Sequence, residues 1–519
     1  YFEKKKEYTR LIRKTKKDYK NDILQQLNSL STNTPTAFWN LVKQFKSNDF
    51  VTKDEAIDKR TLHMYFQNLY GSDIQPKIPE TYNQFQTHIK NKLAELENKS
   101  ASQNSLDTEI QQNEIREAIS QLKNNKASGN DLVLNEMLKS AAHILTKPLT
   151  KLFNLCLSSG HFPQQWRESH IVPLHKGGPK DGPNNYRGIS VISCLAKLFT
   201  TVFNTRLTNY LDENYLIFPN QAGFRKNFGT NDNLFVMDTL ISKYTNANRR
   251  LYACFVDFKK AFDCVWREGL RYKLLSSGIG GKFYCVIKSM YTNPQTCVKT
   301  PDGLTPLFPT DRGVRQGCNL SPALFNLFIN DLVKDLDSPD CAPPSLHNLL
   351  VSCLLYADDI VLFSESETGL QCALDKLNVY CEKWKLQVNL KKTKIMIFNK
   401  TGRIFKNTNF VFGTENIEMV TSYSYLGLTL TPSGTYSLAK KQLSFKARKA
   451  LFSLKPLMHS PLSPKAQLKL FNTCIKPIAL YGCEIWGKVH SNDNCPVEIT
   501  QNRFCKNVLG VHRNSCNSA

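Results

Sequence analysis

The sequence lacks the patterns that mark secreted and membrane proteins. Its 16 cysteines are scattered over 519 residues, and no two are separated by only two residues, so neither a disulfide framework nor a paired-cysteine metal site is indicated. No secretory signal opens the chain. The longest apolar stretch, residues 349–363, is interrupted by Asp358 and Asp359 and is too short to span a bilayer. We therefore expect an intracellular protein with reduced thiols and no membrane partner.

Acidic residues are few compared with basic ones. The chain has 44 Asp and Glu against 68 Lys and Arg, which gives a formal net charge of +24. Such a charge favours a polyanionic partner, nucleic acid first, because neutralising phosphates releases bound counterions. A basic protein with solvated lysines is the alternative that charge alone leaves open.

Basic side chains are densest at the start of the chain, where a helix is predicted. The candidates for nucleic-acid contact there are Lys4, Lys5, Lys6 and Arg10, with aromatic residues between the charges. The helix either contacts an RNA backbone or presents an ordinary solvated face. A linker is predicted at residues 76–79, where two prolines lie close together.

Further along, β-like and helical runs alternate, which predicts an α+β fold. Residues 171–174 form a strand-like run, and the apolar run 251–256 ends at Asp257 before residues at helical spacing. Ser321 is predicted to cap a core helix, with Pro322 at its first position. Two helices are expected to flank a polar loop within residues 109–153.

Asp358 and Asp359 lie between two β-rich runs, a pattern typical of a hairpin. Carboxylates are costly between buried strands unless their charge is compensated. Mg²⁺ would provide that compensation, since it binds a few carboxylates together with substrate phosphates. An ordinary acidic turn is the alternative for an isolated pair.

Six further motifs accompany this pair in a fixed order. They are Asn185–Ser190, Gln221–Arg225, Asp257 before a helix, Arg315–Gly317 before a second helix, and, downstream, Asn389–Lys394 and Tyr425–Gly427. Together they resemble the polymerase region of reverse transcriptases from non-LTR, LINE-like retrotransposons, over roughly residues 123–487. Gly188 and Ser128 depart from the family, which often has proline at both positions.

The resemblance implies a right-hand polymerase. Residues 1–100 would form a basic helical extension and linker, 101–250 the fingers, 251–427 the palm, and 428–519 a helical thumb or connection region. Missing ends are expected, so that the chain is a fragment of a longer product. The implied activity is RNA-directed DNA synthesis from a primer 3′-hydroxyl, with dNTPs, an RNA template and a DNA primer or target as partners.

The resemblance also assigns roles residue by residue. Asp257, Asp358 and Asp359 would hold two Mg²⁺ ions, with Mn²⁺ as a substitute, and Lys392 would protonate the leaving pyrophosphate.

The remaining assignments concern the nucleotide and the nucleic acid. Lys176 and Arg187 would contact the triphosphate, Gln316 and Gly317 the nascent base pair, and the ring of Phe262 would exclude a ribose 2′-hydroxyl. The residues assigned to nucleic-acid binding, besides the basic start of the chain, are Arg225, Lys440, Lys441, Lys446 and Arg448.

Each of these positions has a bland alternative, namely a surface charge, a packing phenylalanine or a helix-start turn. For the whole chain, an inactive retroelement remnant that only binds RNA and an RNA-dependent RNA polymerase remain open. Neither an endonuclease before the palm nor a Cys/His zinc cluster after it is evident, so target nicking is expected from a missing part or another protein. Action in the cytoplasm with element RNA, and in the nucleus where DNA is made, is expected.

Overall fold

The computed structural model describes residues 2–29, 39–42, 57–71, 80–99, 105–403, 408–458, 462–487, 495–512 and 514–516. The chain divides into two compact units. The larger is Glu55–Thr421, and the smaller combines Tyr1–Asp54 with Ser422–Ala519. The predicted boundary between fingers and palm falls inside the larger unit and stays a prediction. The linker predicted at 76–79 lies outside the described residues.

Helices contribute most of the described secondary structure. In chain order they are α1 (Phe2–Ser29), α2 (Lys59–Tyr70), α3 (Glu80–Lys99), α4 (Gln112–Gln121), α5 (Asn135–Ser140), α6 (Ala142–Ser159), α7 (Gln164–Arg167), α8 (Cys194–Glu213), α9 (Thr230–Asn246), α10 (Ala261–Cys264), α11 (Arg267–Ser276), α12 (Gly281–Met290), α13 (Ser321–Ile329), α14 (Leu332–Leu336), α15 (Glu367–Trp384), α16 (Ser437–Met458), α17 (Pro464–Leu470), α18 (Lys476–Ala479), α19 (Cys483–Trp486) and α20 (Pro496–Leu509). No described helix is both long enough and apolar enough to cross a membrane.

The strands form two main sheets and two hairpins. They are β1 (Ser169–His175), β2 (Tyr186–Val191), β3 (Leu251–Asp257), β4 (Gln295–Thr300), β5 (Gly303–Leu304), β6 (Phe308–Pro309), β7 (Ser345–Leu346), β8 (Leu349–Leu350), β9 (Cys353–Tyr356), β10 (Asp359–Ser364), β11 (Lys394–Phe398), β12 (Phe410–Phe412), β13 (Glu415–Met419), β14 (Tyr423–Tyr425) and β15 (Leu428–Leu430). One sheet has the order β12-β13-β11-β3-β10-β9, and the other β2-β1-β4-β5 with β6 beside β4.

The six-stranded sheet is the centre of the larger unit. Its strand β3 is buried at every position up to the half-buried Asp257, as expected for a strand covered on both faces. Helices α9 and α15 pack against it, and the Ser366 hydroxyl caps α15 by accepting from the backbone N–H of Gly369. The apolar strand thus fixes the place at which Asp257 emerges.

The smaller unit contains the basic segments predicted to contact nucleic acid. Helix α1 exposes Lys4, Lys5, Lys6 and Arg10, and its far end is tied down where the Ser463 backbone N–H donates to Asn28 Oδ1 at 2.8 Å. Helix α16 packs against α20 and α18. Both basic helices therefore belong to one folded unit.

Most predicted elements are confirmed, and the α+β class with them. The helices within 109–153, the strand at 171–174, the strand ending at Asp257 and the hairpin around Asp358 are all present. Two details were wrong. The helix after Asp257 is split, because Val265 leaves the helical region at φ −53°, ψ 124°. Ser321 is the first residue of α13 rather than its cap, which is Leu320.

Candidate active site

The acidic residues of the predicted site meet at the end of the central sheet. Asp359 begins β10 and pairs directly with Asp257, the last residue of the antiparallel neighbour β3. Directly opposed residues in an antiparallel pair have their Cβ atoms about 5 Å apart on one face of the sheet. Asp358 precedes Asp359 in the two-residue turn from β9. The pairing thus brings Asp257 to the same sheet end as the consecutive residues Asp358 and Asp359, which are distant from it in sequence.

The turn that carries Asp358 is held by a buried glutamine. Gln221 Oε1 accepts from the backbone N–H of Ala357 at 3.0 Å and from that of Gly223 at 2.8 Å, and Ala357 has a left-handed φ of 58°. A Cβ on Gly223 would lie 2.2 Å from the Ala357 nitrogen, so only glycine fits there. Sequence reasoning used these residues only as a family match, since nothing in their spacing indicates that they touch the hairpin.

Asp257 is anchored from the segment before β11. Asn389 Nδ2 donates to Asp257 Oδ2 at 2.9 Å, and the Asn389 backbone N–H donates to the Asp257 carbonyl at 2.7 Å. The Asp257 backbone N–H in turn donates to Thr393 Oγ1 at 3.3 Å. Lys392 Nζ lies 3.5 Å from Asp257 Oδ2, so the predicted proton donor is beside the predicted metal ligand. The contact role of Asn389 was not foreseen.

The electrostatics of the carboxylates reflect their crowding. Partial burial raises the pKa of Asp359 to about 6, and the charges of Asp358 and Asp257 add to the shift, against the pull of Lys392. Burial also raises the pKa of Asp358, while Arg187 and Lys392 oppose that rise. Two of the three carboxylates are therefore poorly compensated and would gain from a nearby cation.

The donor set suits a hard divalent cation, because carboxylate oxygens are what Mg²⁺ prefers. The side chains do not converge, however. Within the part of the chain that the structure describes, no three His, Cys, Asp or Glu side chains group closely enough to hold a metal ion. Asp257 Oδ2 is engaged by Asn389 and Lys392. The ligand types fit a metal site. The carboxylate side chains would have to rotate toward one another to complete that site, while the paired backbone of β3 and β10 stays in place.

Cationic side chains lie near these carboxylates, and two of them, Arg187 and Lys392, lower the pKa of Asp358. Lys176 follows β1, and Arg187 lies on the paired strand β2 opposite Leu174. Burial lowers the pKa of Lys176, and the positive charges of Arg187, Lys260 and Lys392 lower it further. Mutual repulsion of this kind indicates four cations in one region, as an anion-binding surface requires. The sequence analysis did not select Lys260, because the sequence offers nothing that distinguishes it from the adjacent Lys259.

The residues predicted to contact the base and sugar lie beside the acidic cluster. The ring of Phe262 stacks on Phe325 with centroids 4.5 Å apart and meets Phe224 edge-on at 6.1 Å. Phe262 is half-buried, so packing and a sugar-facing role are both compatible with its place. The gate therefore stays a prediction.

The loop with the predicted base-pair contacts is docked on β2. The Ser190 backbone N–H donates to the Gln316 carbonyl at 2.7 Å. Gly317 has φ 123°, and a Cβ on it would lie 2.4 Å from the Ser190 carbonyl oxygen. Glycine is thus required next to Gln316. Gly188 is explained in the same way, since a Cβ there would lie 2.7 Å from the Phe66 ring.

The predicted nucleic-acid contacts have mixed surroundings. Arg225 is engaged within the protein, with Nη2 3.1 Å from Asp212 Oδ1 and its guanidinium over the Phe228 ring. On α16, Lys440 lies over the Trp486 ring, and Arg448 Nε donates to Thr500 Oγ1 at 3.3 Å. The other two predicted contacts on that helix, Lys441 and Lys446, are exposed. Their roles stay predictions.

Comparison with known proteins identifies the class. Residues 176–430 match the family described as "Reverse transcriptase (RNA-dependent DNA polymerase)", a range that includes Lys176, strand β2 with Arg187, and the paired sheet end. The α+β unit accordingly has the right-hand polymerase fold. Over these residues the chain is similar to the reverse transcriptase family, and the relatives confirm its likeness to the non-LTR members.

Two relatives from Drosophila melanogaster illustrate that likeness. The probable RNA-directed DNA polymerase from transposon BS is 28% identical over 84% of this chain and 50% of its own length. The RNA-directed DNA polymerase from mobile element jockey is 26% identical over 77% of this chain and 44% of its own. The chain thus spans about half the length of these relatives. A solved telomerase from Candida tropicalis, in complex with the TWJ fragment of telomeric RNA, aligns with 71% of this chain and 63% of its own at 13% identity and a TM-score of 0.40.

Proposed function

We propose that this chain is an RNA-directed DNA polymerase that extends a primer 3′-hydroxyl on an RNA template during retrotransposition. The observation that carries the proposal is the register in which Asp257 pairs with Asp359, with Asp358 in the adjoining turn and within electrostatic reach of Arg187. The names of the relatives support the same reaction. The pairing of β3 with β10 thus brings all three proposed metal ligands to one end of the sheet.

In this proposal the protein chiefly binds and orients the reactants. Asp257, Asp358 and Asp359 would hold two divalent cations, Mg²⁺ or Mn²⁺, which supply charge stabilisation at the reacting oxygens when bound. Lys176 and Arg187 bind the triphosphate through charge-assisted hydrogen bonds. Lys392, which lies beside Asp257, would donate a proton to the departing pyrophosphate.

Selectivity would come from the loop and the ring next to the carboxylates. Gln316 hydrogen-bonds near the nascent base pair, and Gly317 leaves room for it. Phe262 excludes a 2′-hydroxyl by its bulk, which selects dNTPs over rNTPs. An RNA template and a DNA primer or target are the partners, in the cytoplasm and the nucleus, and strand nicking is left to another protein or region.

A non-catalytic RNA-binding protein is the second candidate. The observation in its favour is that the three carboxylates do not converge in the described structure. Against it stands the presence of all three, together with two raised pKa values. A protein that only bound RNA would gain nothing from crowding like charges at the end of its central sheet.

Primer extension on RNA and DNA templates, with dNTPs or rNTPs, tests these readings. Asp359→Asn and Asp257→Asn should each abolish extension while RNA binding at matched salt changes less than about twofold, because only the proposed metal ligands are altered. Asp302→Asn, the same charge change in the exposed turn between β4 and β5, is the matched control. Near-normal extension by either site variant would exclude the proposed metal site.

A further inference from the structure

A fourth carboxylate, besides Asp257, Asp358 and Asp359, is buried and contacts the loop that carries Gln316. Asp263 is only 5% exposed, and its Oδ1 accepts from Gln316 Nε2 at 2.8 Å and from the Tyr70 hydroxyl at 2.9 Å. Burying a carboxylate costs free energy unless its hydrogen bonds compensate. No part of the proposed mechanism so far explains why this charge is retained.

The two partners of Asp263 come from distant parts of the chain. Gln316 lies in the loop before α13, and Tyr70 ends α2, upstream of the residues that match the reverse transcriptase family. The loop is fixed to both neighbours by its backbone. The Val314 N–H donates to the Phe262 carbonyl at 2.8 Å, and the Asp311 N–H donates to the Tyr70 carbonyl at 2.9 Å. The side-chain contacts are therefore set in a rigid frame.

Helix α2 is held against the five-stranded sheet by a separate hydrophobic cluster. Its Leu62, Phe66 and Tyr70 pack with Ile171 of β1, Val298 of β4 and Phe308 of β6. Helix α2 makes a second contact with the segment that contains Asp263, because Lys260 Nζ donates to the Tyr65 hydroxyl at 2.5 Å. Helix α2 thus reaches both ends of the Lys260–Asp263 stretch that follows the Asp257 strand.

We propose that Asp263 is a positioning residue for the incoming nucleotide, holding the Gln316 side-chain amide in one orientation while Tyr70 of α2 steadies the carboxylate. One Nε2 hydrogen is then committed to Asp263. The amide carbonyl and the second N–H are what the loop can offer to a nucleobase or sugar. This inference rests on the proposed function and adds to it a residue and a helix that the polymerase motifs do not contain.

The charge state of Asp263 supports the arrangement at assay pH. Burial raises its pKa to about 6, while the hydrogen bond from Tyr70, the charge of Lys260, the hydrogen bond from Gln316 and the charge of Lys176 hold the rise in check. At about pH 8 the group is therefore an anion. A carboxylate accepts roughly twice as strongly as a neutral oxygen, so it fixes the amide better than asparagine would.

The simpler interpretation is that Asp263 only stabilises the fold. The two are distinguished by where the loss appears. A structural role lowers the amount of active enzyme, and therefore the apparent kcat. A positioning role acts on nucleotide binding through Gln316, so its effect on KM should vanish when that amide is gone.

The test compares wild type, Asp263→Asn, Gln316→Ala, the double variant and Tyr70→Phe in single-nucleotide extension on an RNA template and DNA primer at about pH 8. Affinity for dNTP is also measured on complexes with a dideoxy-terminated primer, which reports binding without turnover. We expect Asp263→Asn to raise KM for dNTP about three- to tenfold with little change in template affinity. In the Gln316→Ala background the same change should have an effect of less than about twofold.

Tyr70→Phe removes one hydroxyl without removing the ring, so it should fold and should raise KM in the same direction by a smaller factor. It carries the test if Asp263→Asn does not fold. An equal effect of Asp263→Asn in both backgrounds, or a loss confined to kcat, would overturn the inference. A wild-type chain that neither extends primers nor binds dNTP would refute the proposed function as well, whereas normal wild-type activity with an unchanged KM in the variants refutes only the role of Asp263.

Discussion

Replacing Gly223 by alanine should displace the hairpin turn that carries Asp358, although Gly223 itself bears no charge. The added Cβ would lie 2.2 Å from the Ala357 nitrogen and 2.8 Å from the Tyr356 carbonyl carbon, whereas ordinary contacts begin at 3.4 Å. Both obstructing atoms are backbone, so no flexible side chain can yield. Relief requires the turn before Asp358 to move by about 1 Å, and such a displacement can cost about a hundredfold in rate.

The same change should also lower the free energy of unfolding, by about 1–3 kcal/mol, as overpacking of a filled site usually does. Gln221 would lose the geometry of its two hydrogen bonds to this turn. Extension rates at saturating dNTP and template, together with urea unfolding, measure the two effects separately.

Gly229→Ala is the matched control. Its Cβ would meet nothing closer than Asp232 Oδ2 at 3.9 Å, and its φ of −139° is open to any residue. It should keep extension within about twofold and lose only a fraction of a kcal/mol. If Gly223→Ala were as active as Gly229→Ala, the close approach of Gly223 to the hairpin would have no bearing on catalysis.

Three further outcomes are expected. Phe262→Val should admit rNTPs much more readily while retaining dNTP incorporation; a general loss with an unchanged dNTP to rNTP ratio would make Phe262 a packing residue and revive the RNA polymerase alternative. Replacing Lys4, Lys5 and Lys6 by glutamine should make the negative slope of log affinity against log salt shallower by about 2, because fewer counterions are released. An unchanged slope would show that this face of α1 is solvated and does not contact nucleic acid. Because the pKa of Asp263 is raised to about 6, its folded form holds a proton more tightly than the unfolded chain. Its contribution to stability is complete below about pH 4 and is lost as pH rises through about 6, a change of about 3 kcal/mol that Asp263→Asn should abolish in pH-dependent urea unfolding.

The positions of the charged groups could be predicted because each follows a local pattern. An apolar run that stops at Asp257 and a hairpin pattern that contains Asp358 each define a strand and its end from a few residues. Boundaries that depend on neighbours were less certain. The helix after Asp257 breaks at Val265 because its carbonyl accepts from the Gly313 N–H, a contact that the periodicity of the helix does not contain.

The supporting residues were beyond reach of the sequence for the same reason. Gln221, Asn389 and Asp263 are ordinary polar residues in their local context, and each acts on a residue between 53 and 136 positions away. The family motifs that contain Gln221 and Asn389 indicated that these two belong to the site without indicating what they touch, and Asp263 lies in none of those motifs. Only a folded chain brings such pairs within hydrogen-bonding distance.

By itself the sequence predicted the partner class and the chemistry, because net charge, residue type and the order of motifs are properties of the chain. It also determined the main strands and helices, since these follow from local periodicity. The tertiary structure decided which carboxylates are opposed, which glycines have no room for a Cβ, and that α2 reaches the Gln316 loop through Tyr70 and Asp263. Those facts depend on the register of distant strands, which packing of the whole core fixes and no local pattern can express.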